Sequence, residues 1–105
     1  MISLPSESSV SGDELPATYE VALTKTARRA LAEELPLDVA IGVSEFLVGP
    51  LAGNPRRVGK ELDAPLAGIY SARVMREWRV LYVIDEREQR VTVRSIGHRR
   101  DAYRS

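Results

Sequence analysis

The spacing of apolar positions changes twice along the chain, and each change marks a predicted element. Residues 1–17 mix Ser, Glu and Pro without any period and read as a flexible tail, so the folded domain is expected to span 18–105. From Tyr19 the pattern alternates, with Tyr19, Val21 and Leu23 on one side and Glu20, Ala22 and Thr24 on the other, as in a short strand. The period then lengthens. Ala27, Ala30, Leu31 and Leu35 recur at helical spacing after Thr24 or Thr26, and either hydroxyl can cap that helix by accepting from an orphan N–H. Pro36 interrupts it and suits the first turn of a second helix, whose apolar face is Val39, Val43, Phe46 and Leu47 and which Gly49-Pro50 closes.

Residues 49–68 contain four Gly and three Pro and predict a long connection. The period of two returns in 68–75, 78–85 and 90–97, joined by turns short enough for antiparallel hairpins. The middle run is almost continuously apolar and is expected at the centre of the sheet. The expected fold is therefore α+β in the order β-α-α-β-β-β, a helical hairpin packed on one face of a small, mainly antiparallel sheet. Alternation also assigns faces. Tyr70, Ala72 and Val74, with Trp78, Val80, Tyr82 and Ile84, should face the helices. Ser71 and Arg73, with Arg79, Leu81 and Val83, should face the other way, and Arg79 should stand beside Arg73.

Composition narrows the chemistry. The 105 residues suit one domain with one modest core, and the absence of Cys excludes disulfides, thiolate nucleophiles and Cys-ligated zinc. A single His and scattered acids argue against a metal site, and no cofactor is implied. Walker A, GxGxxG, HExxH and GxSxG patterns are absent. The longest apolar runs, 80–84 and 39–43, fall far short of the about 20 residues of a membrane span, and the first ten residues carry no basic n-region. A cytoplasmic protein without a membrane partner is expected. Fifteen bases balance fifteen acids, yet the balance conceals a split. Residues 1–55 hold three bases and eight acids, whereas residues 56–105 hold twelve bases, eleven of them Arg, and seven acids. Such a half is either a solvated face of mixed charge or the footprint of a polyanion.

What remains for chemistry is arginine, tyrosine and His98. The chain leaves its last strand through Gly97-His98-Arg99-Arg100-Asp101-Ala102-Tyr103-Arg104, at a sheet end near Arg73 and Arg79. Guanidinium groups suit a scissile phosphate, an aromatic ring stacks a splayed base and an imidazole transfers a proton, so RNA is the fitting substrate. The succession YEVALTKTARRAL, LAGIYSARV-x₄-WRVLYVID and terminal GHRRDAYR resembles the RelE/ParE superfamily of toxins from type II toxin–antitoxin pairs, the RelE branch above all, over residues 19–104.

That resemblance implies a bacterial toxin that cuts mRNA on the 70S ribosome without a metal, through attack of a 2′-hydroxyl on the adjacent phosphate, and that a cognate antitoxin silences. By position, Arg73 matches a basic residue of the first hairpin strand, Arg79 the arginine at the scissile phosphate and Arg99 the basic residue after the last strand. Tyr103 matches the C-terminal tyrosine that stacks or orients the base, and His98 a histidine proposed for proton transfer. Arg56, Arg57, Lys60, Arg76 and Arg100 are candidates for contact with mRNA or rRNA. Ser71 departs from the pattern, standing where well-known RelE members carry a lysine.

Each residue has a plainer alternative. Arg79 could pair with Glu77 or Asp85, Tyr103 could staple the C-terminus, and Arg56, Arg57 and Lys60 could form a solvated loop. Tyr70 and Tyr82 read as core tyrosines with satisfied hydroxyls, and Trp78 as packing. Two rival functions stand beside the nuclease. One is a non-enzymatic ParE-type inhibitor of DNA gyrase, and the other a degenerate toxin that retains antitoxin binding alone.

Overall fold

Thr24 is the cap that starts the first helix. Its hydroxyl accepts from the Ala27 N–H at 3.1 Å and donates to the Arg94 carbonyl at 2.8 Å, so one side chain begins a helix and fastens it to the last strand. The computed structural model describes residues 18–100, and the predicted tail 1–17 and Tyr103 lie outside the described residues. Strand β1 (Glu20–Leu23) leads into α1 (Lys25–Arg29), whose last turn widens to π geometry over Ala30–Glu34. Pro36 then serves as the N-cap of α2 (Leu37–Phe46), one position earlier than the expected first turn.

Gly49-Pro50 does not close α2. The chain stays helical through Leu47–Leu51, again as a wide π turn with Pro50 inside it. The gain is apolar: Leu47 and Leu51 extend the stripe begun by Val39 and Val43, and all four are buried. The predicted connection 49–68 likewise holds more structure than its Gly and Pro content suggested. It contains a short helix, α3 (Pro55–Val58), and an edge strand, β2 (Lys60–Glu61). Strands β3 (Tyr70–Val74), β4 (Trp78–Asp85) and β5 (Arg90–His98) follow. The order is thus β-α-α-α-β-β-β-β, with one helix and one strand more than the periodicity revealed.

The five strands form one sheet in the order β1-β5-β4-β3-β2, antiparallel except where β1 pairs in parallel with β5. The nearly all-apolar β4 lies at its centre, as its composition required. Val80 and Tyr82 of β4 are fully buried against the helices with Val91 and Val93 of β5 and Ala72 of β3. Trp78 and Ile84 pack on the same cluster from its margins.

Two tyrosines carry polar atoms into this core. Tyr82 donates its hydroxyl to the Pro55 carbonyl and so pins α3 to the sheet, and burial pushes the phenol up to about 12. Tyr70 stacks on Tyr82 with ring centroids 5.6 Å apart and accepts from Arg56 at 2.7 Å.

One irregularity sets the faces of β5. Leu81 pairs with Ser95 but Tyr82 pairs with Val93, so Arg94 is an extra, unpaired residue in a β-bulge. Before the bulge Val91 and Val93 face the helices, and after it Ile96 and His98 do. The Arg94 carbonyl freed by the bulge is the one that Thr24 holds.

Two expectations test this frame. A Cβ at Gly59 would collide with the Tyr82 hydroxyl and lie 3.1 Å from the Ser71 carbonyl oxygen, so Gly59→Ala should cost about 1–3 kcal/mol in urea unfolding. Glu86, in the β4–β5 turn, accepts from the Tyr19 hydroxyl at 2.7 Å and from Arg56 Nε at 2.6 Å. These hydrogen bonds, from Tyr19 and Arg56, hold its carboxyl below the ordinary 4.5. The folded form therefore favours the carboxylate, and this contribution is complete above the ordinary value and fades as pH falls through the lowered one. Thermal melts should show Glu86→Gln less stable than the wild type at neutral pH, with the gap closing in acid.

Candidate active site

The register of β3 on β4 places Arg73 directly opposite Arg79. Both side chains belong to the face turned away from the helices, since their neighbours Ala72, Val74 and Val80 are buried on the other. Directly opposed side chains start about 5 Å apart at Cβ, and like charges there destabilise a sheet. Among the described residues neither arginine has an acidic partner. Arg79 makes two long contacts of 3.4 Å, to the Arg76 and Trp78 carbonyls. Its imagined partners are occupied elsewhere: Glu77 binds Arg99, and Asp85 at the far end of β4 accepts the Glu88 N–H.

On the other side of Arg79, β5 presents Gly97, and nothing lies within 4 Å of where its Cβ would be. Arg79 is therefore flanked by a second cation and by a bare stretch of backbone. Along the same face come Ser71, Leu81 and Ser95, then Val83 and Thr92. Lys60 on the edge strand is in register with Ser71. Along this row Leu81 is buried and Ser71, Val83, Thr92 and Ser95 are half-buried, with cations at one end and along one edge.

His98 stands on the other face. It pairs with Trp78, and the two rings meet edge to face with centroids 5.5 Å apart. The bulge at Arg94 is the reason, because it shifts the alternation of β5 by one residue before His98 is reached. His98 and Arg79 thus meet at the end of the sheet and not on one surface. Beyond the strand, Arg99 continues the ladder by donating its N–H to the Glu77 carbonyl at 2.7 Å, and its Nε forms an ion pair with the Glu77 carboxylate at 2.8 Å. His98 Nε2 is 3.7 Å from the same carboxylate oxygen. The Arg100 N–H reaches His98 Nδ1 at 3.3 Å.

The turn that carries this cluster is strained. Met75 and Arg76 have φ of 52° and 70°, a left-handed conformation that side chains other than Gly adopt at a cost. Arg76 is held there, exposed, between Arg73 and Arg79. The structure therefore gathers Arg73, Arg76, Arg79, His98, Arg99 and Arg100 at one end of the sheet, with Lys60 nearby along its edge.

Arg56 does not join them. It lies at the opposite end, bound to Glu86 and to the Tyr70 hydroxyl, and the hydrogen bond it donates to Glu86 raises its pKa still further. Its role in the described fold is to tie α3 to the β4–β5 turn. Arg57 is exposed on α3 and belongs to neither cluster. Glu77 and Gly97 were not among the residues singled out from sequence as site residues. Their importance depends on a register that the bulge sets.

The family model for the "ParE toxin of type II toxin-antitoxin system, parDE" matches residues 21–103. Two toxins of Mycobacterium tuberculosis strain H37Rv, RelE and RelG, are each 44% identical to the chain over 86 residues, covering 82% of it and 87% and 97% of themselves. The crystal structure of the toxin–antitoxin complex RelBE2 from the same species contains a chain 41% identical with a TM-score of 0.75, covering 83% of this chain and 98% of that one.

One consequence of the opposed arginines can be measured. Arg73→Thr removes the like-charge pair and adds a good strand former, so it should raise stability by roughly 0.2–1 kcal/mol in urea unfolding. A loss of stability would mean that Arg73 serves the fold.

Proposed function

The chain belongs to the RelE/ParE superfamily of type II toxin–antitoxin toxins, and from that premise we propose that it is a ribosome-dependent, metal-independent endoribonuclease that cuts mRNA and so arrests translation. The observation that carries this reading is the unneutralised pair Arg73–Arg79. A sheet keeps two opposed cations without an acid only at a cost, and a phosphate removes that cost when it binds between them.

In the proposed reaction the 2′-hydroxyl attacks the adjacent phosphorus. Its proton leaves to a base, the P–O5′ bond breaks, and the 5′ oxygen takes a proton. Negative charge grows on the phosphoryl oxygens in the transition state, where fixed guanidinium groups act most strongly. Arg79 and Arg73 are assigned to that charge, and Arg99 to the same phosphate from the end of β5. His98, at the rim, is the group assigned to proton transfer, and Tyr103 to the base. Arg76, Arg100, Arg57 and Lys60 are assigned to the flanking RNA backbone, where each cation adds salt-dependent affinity. Ribosomes as target place the toxin in the cytoplasm.

The partner that silences it is proposed to be a cognate antitoxin with an acidic bound segment, laid over the Arg73–Arg79 face. The RelBE2 relative is itself a toxin–antitoxin complex, which supports this assignment.

A second reading has its own support, because the matching family model carries the ParE name and Ser71 replaces the expected lysine. In that reading the basic face traps DNA gyrase and no RNA is cut. Induced expression with primer extension on a reporter mRNA separates the two. The wild type should stop growth and produce discrete cuts, and Arg79→Ala should lower cleavage by about 10²–10³-fold. Intact mRNA with accumulated gyrase cleavage complexes in a supercoiling assay supports the second reading. Neither effect, with antitoxin binding retained, leaves a degenerate toxin.

A further inference from the structure

We infer that Glu77 is the positioning residue of this site: its carboxylate, delivered by the strained Met75–Arg76 turn, holds Arg99 through Nε and faces His98, so that one acid sets both groups for RNA. The inference rests on the nuclease reading above.

The geometry is unusually complete for a turn residue. The Glu77 N–H donates to the Met75 carbonyl at 2.7 Å, and the Glu77 carbonyl accepts the Arg99 N–H at 2.7 Å, so its backbone is fixed on both sides. The side chain then takes Arg99 Nε at 2.8 Å. This leaves the two Nη groups of Arg99 unclaimed by Glu77, and those are the donors that match two phosphate oxygens. Without the clamp, Arg99 is a long, exposed side chain just past the last strand, with rotamer freedom to lose each time it meets a phosphate.

His98 is set by two contacts. Because Nδ1 accepts from the Arg100 N–H, the proton of the neutral ring sits on Nε2, which faces Glu77 at 3.7 Å. That separation is an ion-pair distance and not a hydrogen bond, so the carboxylate acts on His98 by its charge. Arg99 and Arg100 are the other charged residues beside the ring, on its own strand end, and the edge of Trp78 walls its remaining side.

Stability alone does not account for the arrangement. Glu77 and Arg99 are each half-exposed, at 50% and 55%, and such surface pairs contribute little to folding. The turn that delivers Glu77 meanwhile holds two side-chain-bearing residues at positive φ. Strain concentrated where the energetic return is small points to a task other than folding.

The test uses the full chain and compares Glu77→Ala, Glu77→Asp and Arg99→Ala, singly and with Glu77→Ala and Arg99→Ala combined. The first readout is the Arg99 Nε–H resonance in ¹⁵N relaxation, which should report an ordered side chain in the wild type, a mobile one in Glu77→Ala and partial order in Glu77→Asp. The second is cleavage of mRNA on ribosomes. Glu77→Ala should lower kcat by about tenfold without raising KM, since removing an acid strengthens the attraction for RNA. In the Arg99→Ala background its cost should shrink, because only His98 is left for it to set. An unchanged Arg99 resonance, an unchanged or increased kcat, or an additive loss in the double variant would each overturn the inference. A wild type that cuts no mRNA defeats the functional reading instead, and the resonance still decides whether Glu77 holds Arg99.

Discussion

The pairing of β4 with β5, interrupted by one extra residue, is the constraint on which the rest of this structure depends. Arg94 has no partner across the strand, and everything after it changes face. Upstream, Val91 and Val93 complete the core. Downstream, Ile96 takes the core position, Gly97 lands beside Arg79 and His98 beside Trp78. Were the strand regular from Val93 onward, Ile96 would leave the core to stand opposite Arg79, and His98 would share that face, opposite Glu77. The bulge is also where the helical layer is fastened, because Thr24 caps α1 and binds the Arg94 carbonyl with the same hydroxyl. Core, helix placement and the layout of the basic end thus share one cause.

The two ends of the sheet follow opposite electrostatic logic. At the β4–β5 turn, Glu86 is matched by Tyr19 and Arg56, and Arg56 by Tyr70, so this chain of partners binds four segments together. At the β3–β4 turn, cations outnumber the acid that serves them, and two of them face each other across a ladder. Arg56 and Arg79 are the same residue type in the same charge-rich half of the chain. What separates them is the carboxylate within reach of one and not of the other.

That difference also explains what could be read from the sequence. Alternation in β3 and β4 assigns both faces, because Val80, Tyr82, Tyr70 and Ala72 are large or small apolar residues on a strict period of two, and this alone sets Arg73 beside Arg79. The helices were legible from Ala27, Ala30, Val39 and Val43 for the same reason. Pro50 misled, since a proline normally ends a helix, but a wide turn absorbs its missing N–H and Leu51 draws the helix onward into the core. Strand β2 was invisible because two residues are too few to show a period. The place of Arg56 was hidden because charge counting cannot see Glu86, thirty residues away in sequence and 2.6 Å away in space. The place of His98 was hidden by a bulge that no local pattern in RVTVRSIGH announces.

Local choices agree with the fold across most of the described residues; Gln89 in the β4–β5 turn is a lone left-handed residue at φ 54°, and the other departures gather in one region. The fully buried positions are Val, Leu, Ala, Pro and one well-partnered tyrosine, Tyr82, and the first helix is capped. Within one turn and its flanks, by contrast, stand two left-handed residues that are not glycine, two opposed arginines and a histidine facing a carboxylate. Each of these departures has a simple remedy: Gly in the turn, Thr on β3. Departures of this kind mark residues that answer to more than packing. On the proposed nuclease reading, a phosphate set between Arg73 and Arg79 removes the cost of the opposed cations, while the left-handed turn remains a cost of the backbone alone.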